Sequence, residues 1–271
     1  MSDIVDQKEN LVRHRAHRWS TQFIERHPLF WGAAIVFAIC CIPLLALLAF
    51  DTRTLSGVNV WVKPLKFFVS ISIYFATLAW VAQQLPGHVR DGKKLNIANV
   101  VFIAAAVIEL AWITAAASLA IRSHYHTELV FWRAIYPVMG IIAITLTSAT
   151  AIYAVVAYRH LSPGPIRTGI VGGLGLTFAL TMMTVGTLTG VGFDAPNPAL
   201  QDVPRIPFFG WPITFFDQRV AHFLSLHAIQ FGPLIALLAA GLFAPQMATR
   251  LVTIGLVAYA GFTLSVFLYT I

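Results

Sequence analysis

Charge is what this sequence lacks. Of its 271 residues only 11 % are Asp, Glu, Lys or Arg, against roughly 25 % in a soluble domain. So little charge on a chain of this length cannot cover a water-facing surface. That excludes an ordinary cytosolic enzyme, a disordered protein and a nucleic-acid-binding domain. Cysteine is nearly absent as well. The two present, Cys40 and Cys41, are neighbours in an apolar run, and adjacent helical residues point about 100° apart. They suit neither a disulfide nor, alone, a metal site, and read as small buried thiols. Strong catalytic or metal signatures are missing too: there is no Cys-x-x-Cys-His, no His-Glu-x-x-His, no nucleophile motif and no Gly-rich phosphate loop.

What is present is hydrophobic: 58 % of residues, with a mean hydropathy of +0.77. Seven apolar stretches reach the roughly 20 residues that a helix needs to cross a bilayer core. They run at 29–50, 63–84, 97–121, 137–158, 168–191, 221–243 and 249–270. Transmembrane β-strands would alternate over about ten residues instead. The expected fold is therefore all-α, a polytopic membrane helix bundle.

The formal net charge is +7, and most of the positive residues lie in short connections. Placing the N-terminus inside puts the larger share of Lys and Arg on the cytoplasmic side, which predicts N-in and C-out in a bacterial inner (plasma) membrane. The first apolar run has no signal-peptide cleavage pattern, so the first helix is expected to be retained. Residues 1–28 read as a basic amphipathic cytoplasmic segment with a stripe of Val12, Ala16, Trp19 and Phe23. Residues 29–271 read as one seven-helix domain. Its longest connection, 192–220, is rich in proline and aromatics and is expected to cap the outer mouth. A Gly169-x-x-x-Gly173 spacing in the fifth stretch predicts close helix packing within the monomer.

Ionisable groups at membrane depth cost a few kcal/mol, roughly 3 on insertion scales, so each needs a partner or a task. Four clusters qualify. Lys63 and Lys66 begin the second stretch on one helix face, with Pro64 in the first turn. Glu109 is the acidic residue at the middle of a span, expected to be protonated or paired with a cation. Arg122, His124 and His126 follow the third stretch. Asp217, Arg219, His222, His227 and Gln230 enter the sixth. His222 and His227 lie about 7.5 Å apart along the axis and about 140° around it, so they serve one site at two depths or face two neighbouring helices. Alternation of the spans brings all four clusters to one end of the bundle, predicting an outward-facing polar pocket.

At Asn59-x-Trp61-x-Lys63-Pro64-x-Lys66-Phe67-x-x-Ser70 and Asp217-x-Arg219-x-Ala221-His222-Phe223-x-x-x-His227-Ala228-x-Gln230, the chain resembles a family of uncharacterised bacterial multi-pass membrane proteins, over about residues 28–245. The resemblance implies the place of the site and no chemistry. It also implies an Asn where this chain has His126, which favours His124 as the ligand candidate.

The residues leave several functions open. Two of His124, His222 and His227 from different helices suit axial haem ligation; three with Glu109 or Asp217 suit zinc, copper or iron. A small anionic or amphipathic ligand suits Lys63, Lys66 and Arg219. A membrane enzyme on a lipid-like substrate would exchange protons between Glu109 and a histidine. A transporter, or an accessory protein whose polar groups fix packing, completes the set. A retinal protein is excluded by the absence of Lys from the last span.

Overall fold

The computed structural model describes residues 27–55, 57–124, 129–188, 204, 206 and 218–270. The N-terminal segment up to residue 26, His126, Asp217 and nearly all of the expected 192–220 cap lie outside the described residues. Among those described, eight helices and one two-stranded hairpin are formed: α1 (Pro28–Phe50), β1 (Thr54–Leu55), β2 (Val58–Asn59), α2 (Val62–Gln84), α3 (Gly87–Arg90), α4 (Lys93–Ser118), α5 (Val130–His160), α6 (Pro165–Leu188), α7 (Gln218–Leu242) and α8 (Pro245–Thr270). Seven of the helices are long and apolar enough to cross a membrane. They correspond one for one to the expected stretches. α5 begins seven residues earlier than expected because Pro137 lies inside the helix and does not open it.

The surface explains the missing charge. α1 is apolar all round yet buries only Phe30, Ala33, Ala34, Phe37 and Leu44, one stripe at helical spacing. Ile35, Val36, Ile39, Ile42 and Phe50 point outward. The same pattern recurs on α4, α5, α7 and α8. In water such an apolar exterior would aggregate; against lipid tails it costs nothing. Hydroxyls obey the same solvent. Thr145, Thr147, Thr177, Ser225, Thr253 and Thr263 each donate to the carbonyl four residues back, so no side-chain O–H among them is left unpaired in hydrocarbon.

Two groups of helices make the bundle. α1, α2 and α4 pack together around Phe30, Phe37, Phe75, Leu78 and Leu110. α6, α7 and α8 form the other group, and α5 joins them by packing on α4 and on α6. The α6–α7 contact is the most extensive, and glycine makes it so. A Cβ on Gly232 would strike the Gly169 carbonyl and come within 2.6 Å of Gly173 Cα, and one on Gly173 would lie 2.7 Å from the Ala228 carbonyl. The two backbones touch directly, which no larger residue permits. The Gly169-x-x-x-Gly173 spacing is thus spent inside the monomer.

One polar cluster holds the end of the bundle where α1 begins. His27 precedes α1, and its Nδ1 accepts from the Phe30 N–H at 3.4 Å. That places the ring proton on Nε2. Nε2 lies 3.3 Å from the side-chain amide of Asn99 on α4, and the same amide lies 2.9 Å from the Tyr153 hydroxyl on α5. The Tyr153 hydroxyl donates to the Asn99 carbonyl oxygen, so the amide bridges the hydroxyl and the ring. All three residues are buried, Asn99 completely. Burial pushes the His27 pKa down, so the ring stays neutral. Beside it, the Arg90 guanidinium holds the Asp91 carboxyl below its ordinary range.

Candidate functional site

The opposite end is shaped by a hairpin. Leu55 pairs with Val58 and Thr54 with Asn59 across a tight turn containing Gly57 at φ +76°, a conformation that suits glycine. Asp51 gathers this segment. Its carboxylate takes both arms of the Arg53 guanidinium, at 2.7–3.1 Å, and the Trp61 indole N–H at 2.7 Å. Asn59 donates to the Asp51 carbonyl and accepts from the Trp61 N–H. The Arg53 side chain, its backbone N–H and Trp61 together hold the Asp51 carboxyl far below the usual carboxylate range. Arg53 also donates to the Ser118 carbonyl at 2.8 Å, closing the end of α4. Asn59 and Trp61 are therefore architecture: they fix where α2 starts. Lys63 and Pro64 fall in its first turn.

The end of α4 reverses sharply. Ala120 has φ +53°, the Ile121 N–H donates to the Ala116 carbonyl, and the Ala120 N–H donates to Ala117. These bonds make a Schellman turn, with alanine in the left-handed position that glycine usually takes. The chain then runs back along its own helix. The Trp112 indole N–H donates to the Ser123 carbonyl at 2.7 Å, and the indole packs at a tilt against Trp132 of α5, with ring centroids 3.9 Å apart. Ser123 is buried by this return.

The return sets His124 between two helices. Its Nδ1 lies 3.3 Å from Lys63 Nζ and 2.9 Å from the Ser123 hydroxyl, and its Nε2 lies 3.4 Å from Glu109 Oε1. An ammonium only donates, so Nδ1 accepts and the ring proton sits on Nε2, facing the carboxylate. Tyr136 of α5 meets the ring edge-on at 6.1 Å. Glu109 is 4 % exposed and nine residues, about 14 Å along the axis, before the end of α4. Its other oxygen, Oε2, is buried with no hydrogen-bond partner among the described residues. An unmet buried acceptor costs about 1–3 kcal/mol, and more when it is charged. Lys63–His124–Glu109 is thus a continuous line of titratable groups from a half-buried cation to an unsatisfied buried oxygen.

The α7 candidates divide between two neighbours. His222 Nδ1 lies 2.9 Å from the Thr184 hydroxyl on α6. His227 Nδ1 donates to Gln230 Oε1 at 3.1 Å, its ring packs on Phe223 at 4.1 Å, and Gln230 reaches Thr77 on α2 at 3.5 Å. His222 meets α6, whereas the hydrogen-bond and ring partners of His227 lie on its own helix and it is Gln230 that reaches α2. Among the described residues no group of three His, Cys, Asp or Glu gathers as a metal site. Arg122 and Arg219 are half-buried at the same end, and Lys66 lies one turn below Lys63. A cavity of about 600 Å³ among the described residues lies at the opposite end, lined by His27, Pro28, Leu29, Asp91, Lys93, Asn96, Ile97 and Val100. None of the expected site residues lines it.

Sequence reasoning missed Asp51, Trp112 and Ser123. A Trp three residues after Glu109, on the same face of α4, was the available signal for a segment folding back there. Comparison of the chain with protein-family models, curated proteins and solved structures returns no match.

Proposed function

We propose that this chain, a multi-pass helical membrane protein, binds a small anionic or amphipathic ligand at the end that carries Lys63, Lys66 and His124. The orientation that suits the charge distribution is N-terminus inside, in a bacterial inner membrane, with this end facing out. The observation that carries the reading is the Lys63–His124–Glu109 line. Lys63 and Lys66 are half-buried cations at a helix start, where snorkelling stems bring ammonium groups to headgroup depth. They stand on the side where the positive-inside bias disfavours them, so topology does not account for their presence. The resemblance in the Asn59–Ser70 and Asp217–Gln230 motifs supports the same place.

Native mass spectrometry of the detergent-purified protein tests the reading. Phosphatidylglycerol is expected to remain bound where phosphatidylcholine does not, and the retained lipid is expected to fall at least tenfold in Lys63→Ala/Lys66→Ala. Equal retention of both lipids, or a double variant that folds and keeps its anionic lipid, would overturn it.

A further inference from the structure

We infer that the binding of an anionic head group at Lys63 is coupled to the uptake of one proton by the His124–Glu109 pair. The inference rests on the ligand reading above and adds the proton. Lys63 has two claims on it. At rest its ammonium lies against His124 Nδ1, and that cation keeps a proton from being added there. An incoming phosphate draws the ammonium toward itself. Nδ1 is then free to accept a proton from water, with Ser123 Oγ already at 2.9 Å. The Nε2 proton passes to Glu109 Oε1, 3.4 Å away. The balance is one proton in at Nδ1 and one across from Nε2 to the carboxylate; the imidazole ends neutral in its other tautomer and Glu109 ends as the acid. The added negative charge of the ligand and the added proton cancel.

The geometry favours the step: the Glu109 carboxyl group faces His124 Nε2 through Oε1, while Oε2 is buried with no hydrogen-bond partner among the described residues. The other charged and titratable groups here leave room for this step. Lys66 on α2 and Arg122 in the return segment are cationic, Arg133 of α5 is exposed, and Tyr136 presents a ring edge to His124. Asp51 is consumed by Arg53 and Trp61 at the hairpin. α1 contributes Cys41, Leu44 and Leu48 to the packing beneath the hairpin.

The test is isothermal titration calorimetry of the full chain in phosphatidylcholine nanodiscs, with short-chain phosphatidylglycerol as one probe and inorganic phosphate as the other. Buffers of different ionisation enthalpy count the protons. Coupling predicts about one proton taken up per molecule bound, and a Kd that rises about tenfold per pH unit over the range in which the site releases its proton. Glu109→Gln, which imitates the protonated acid, is expected to bind with a pH-independent Kd at the low-pH value. Saturable binding by the lipid alone identifies a headgroup site; binding by phosphate as well identifies a phosphate site, and the coupling holds in either case. Wild-type binding without proton uptake, or Glu109→Gln keeping the slope, overturns the coupling and leaves the ligand reading standing. Failure of both probes to bind at any pH overturns both.

Discussion

Two buried polar clusters stand at opposite ends of this bundle, and they are finished to different degrees. At the end where α1 begins, His27, Asn99 and Tyr153 are neutral and each side chain has a hydrogen-bond partner. At the other end, Lys63, His124 and Glu109 are titratable, and one carboxylate oxygen has no hydrogen-bond partner among the described residues. Both clusters tie α4 to its neighbours. A network whose members are all satisfied fixes a packing. One left open at a single atom keeps a vacancy for a proton or a ligand donor, at a cost in stability.

The comparison breaks most visibly at Asn99. Asn99→Ala removes the amide that links buried His27 to buried Tyr153, leaving both without that partner, and is expected to cost about 2–4 kcal/mol. It should lower the Tm in detergent strongly while ligand affinity per folded molecule stays within about twofold. Retained stability would mean the satisfied cluster holds nothing.

Acid is the next lever. The lowered pKa of His27 means that the native state binds its proton less readily than the unfolded chain. Above the unperturbed value, about 6.5, both states are neutral and stability is complete. Below it the unfolded chain protonates first, so stability falls with pH until the native pKa is passed. The stability difference between wild type and His27→Asn, which keeps a capping side chain, should therefore shrink by up to about 1.4 kcal/mol per pH unit in that window. A difference that does not change with pH would remove the neutral histidine from the account.

At the open end the effects on folding are smaller. Ala120→Gly relieves a left-handed alanine and is expected to add about 1 kcal/mol, read as a higher Tm with Lys63–His124 contact unchanged. Glu109→Gln should move stability by less than about 1 kcal/mol. A Tm loss as large as that of Asn99→Ala would erase the contrast and make Glu109 a packing residue.

The helices were legible because hydrophobic length is a local property: a run of twenty apolar residues has one economical structure in a bilayer. The gathering of Lys63, Glu109 and His124 at one end was legible too, since alternating spans decide which ends coincide. The direct His124–Glu109 approach was not. It depends on the Schellman turn at Ala120, where no glycine announces it, and on the Trp112–Ser123 bond that holds the return. The separation of His222 from His227 was readable as an angle, but that His222 meets Thr184 while His227 bonds Gln230 of its own helix depends on how α6 packs against α7. The pairing of Asn59 and Trp61 with Asp51 was invisible for a further reason. Asn59 and Trp61 stood beside lysines in a motif and were read with them, whereas their partners belong to the preceding loop.

The backbone contact of Gly169 and Gly173 with Gly232 has a mechanical consequence. Helices that meet through backbone atoms cannot slide or rotate past one another without collision, so α6 and α7 travel as one strut. The bond from Gln230 to Thr77, at 3.5 Å the limit of contact, is the lighter tie, and it crosses from that strut to α2. That lighter tie lands on the helix whose first turn carries Lys63.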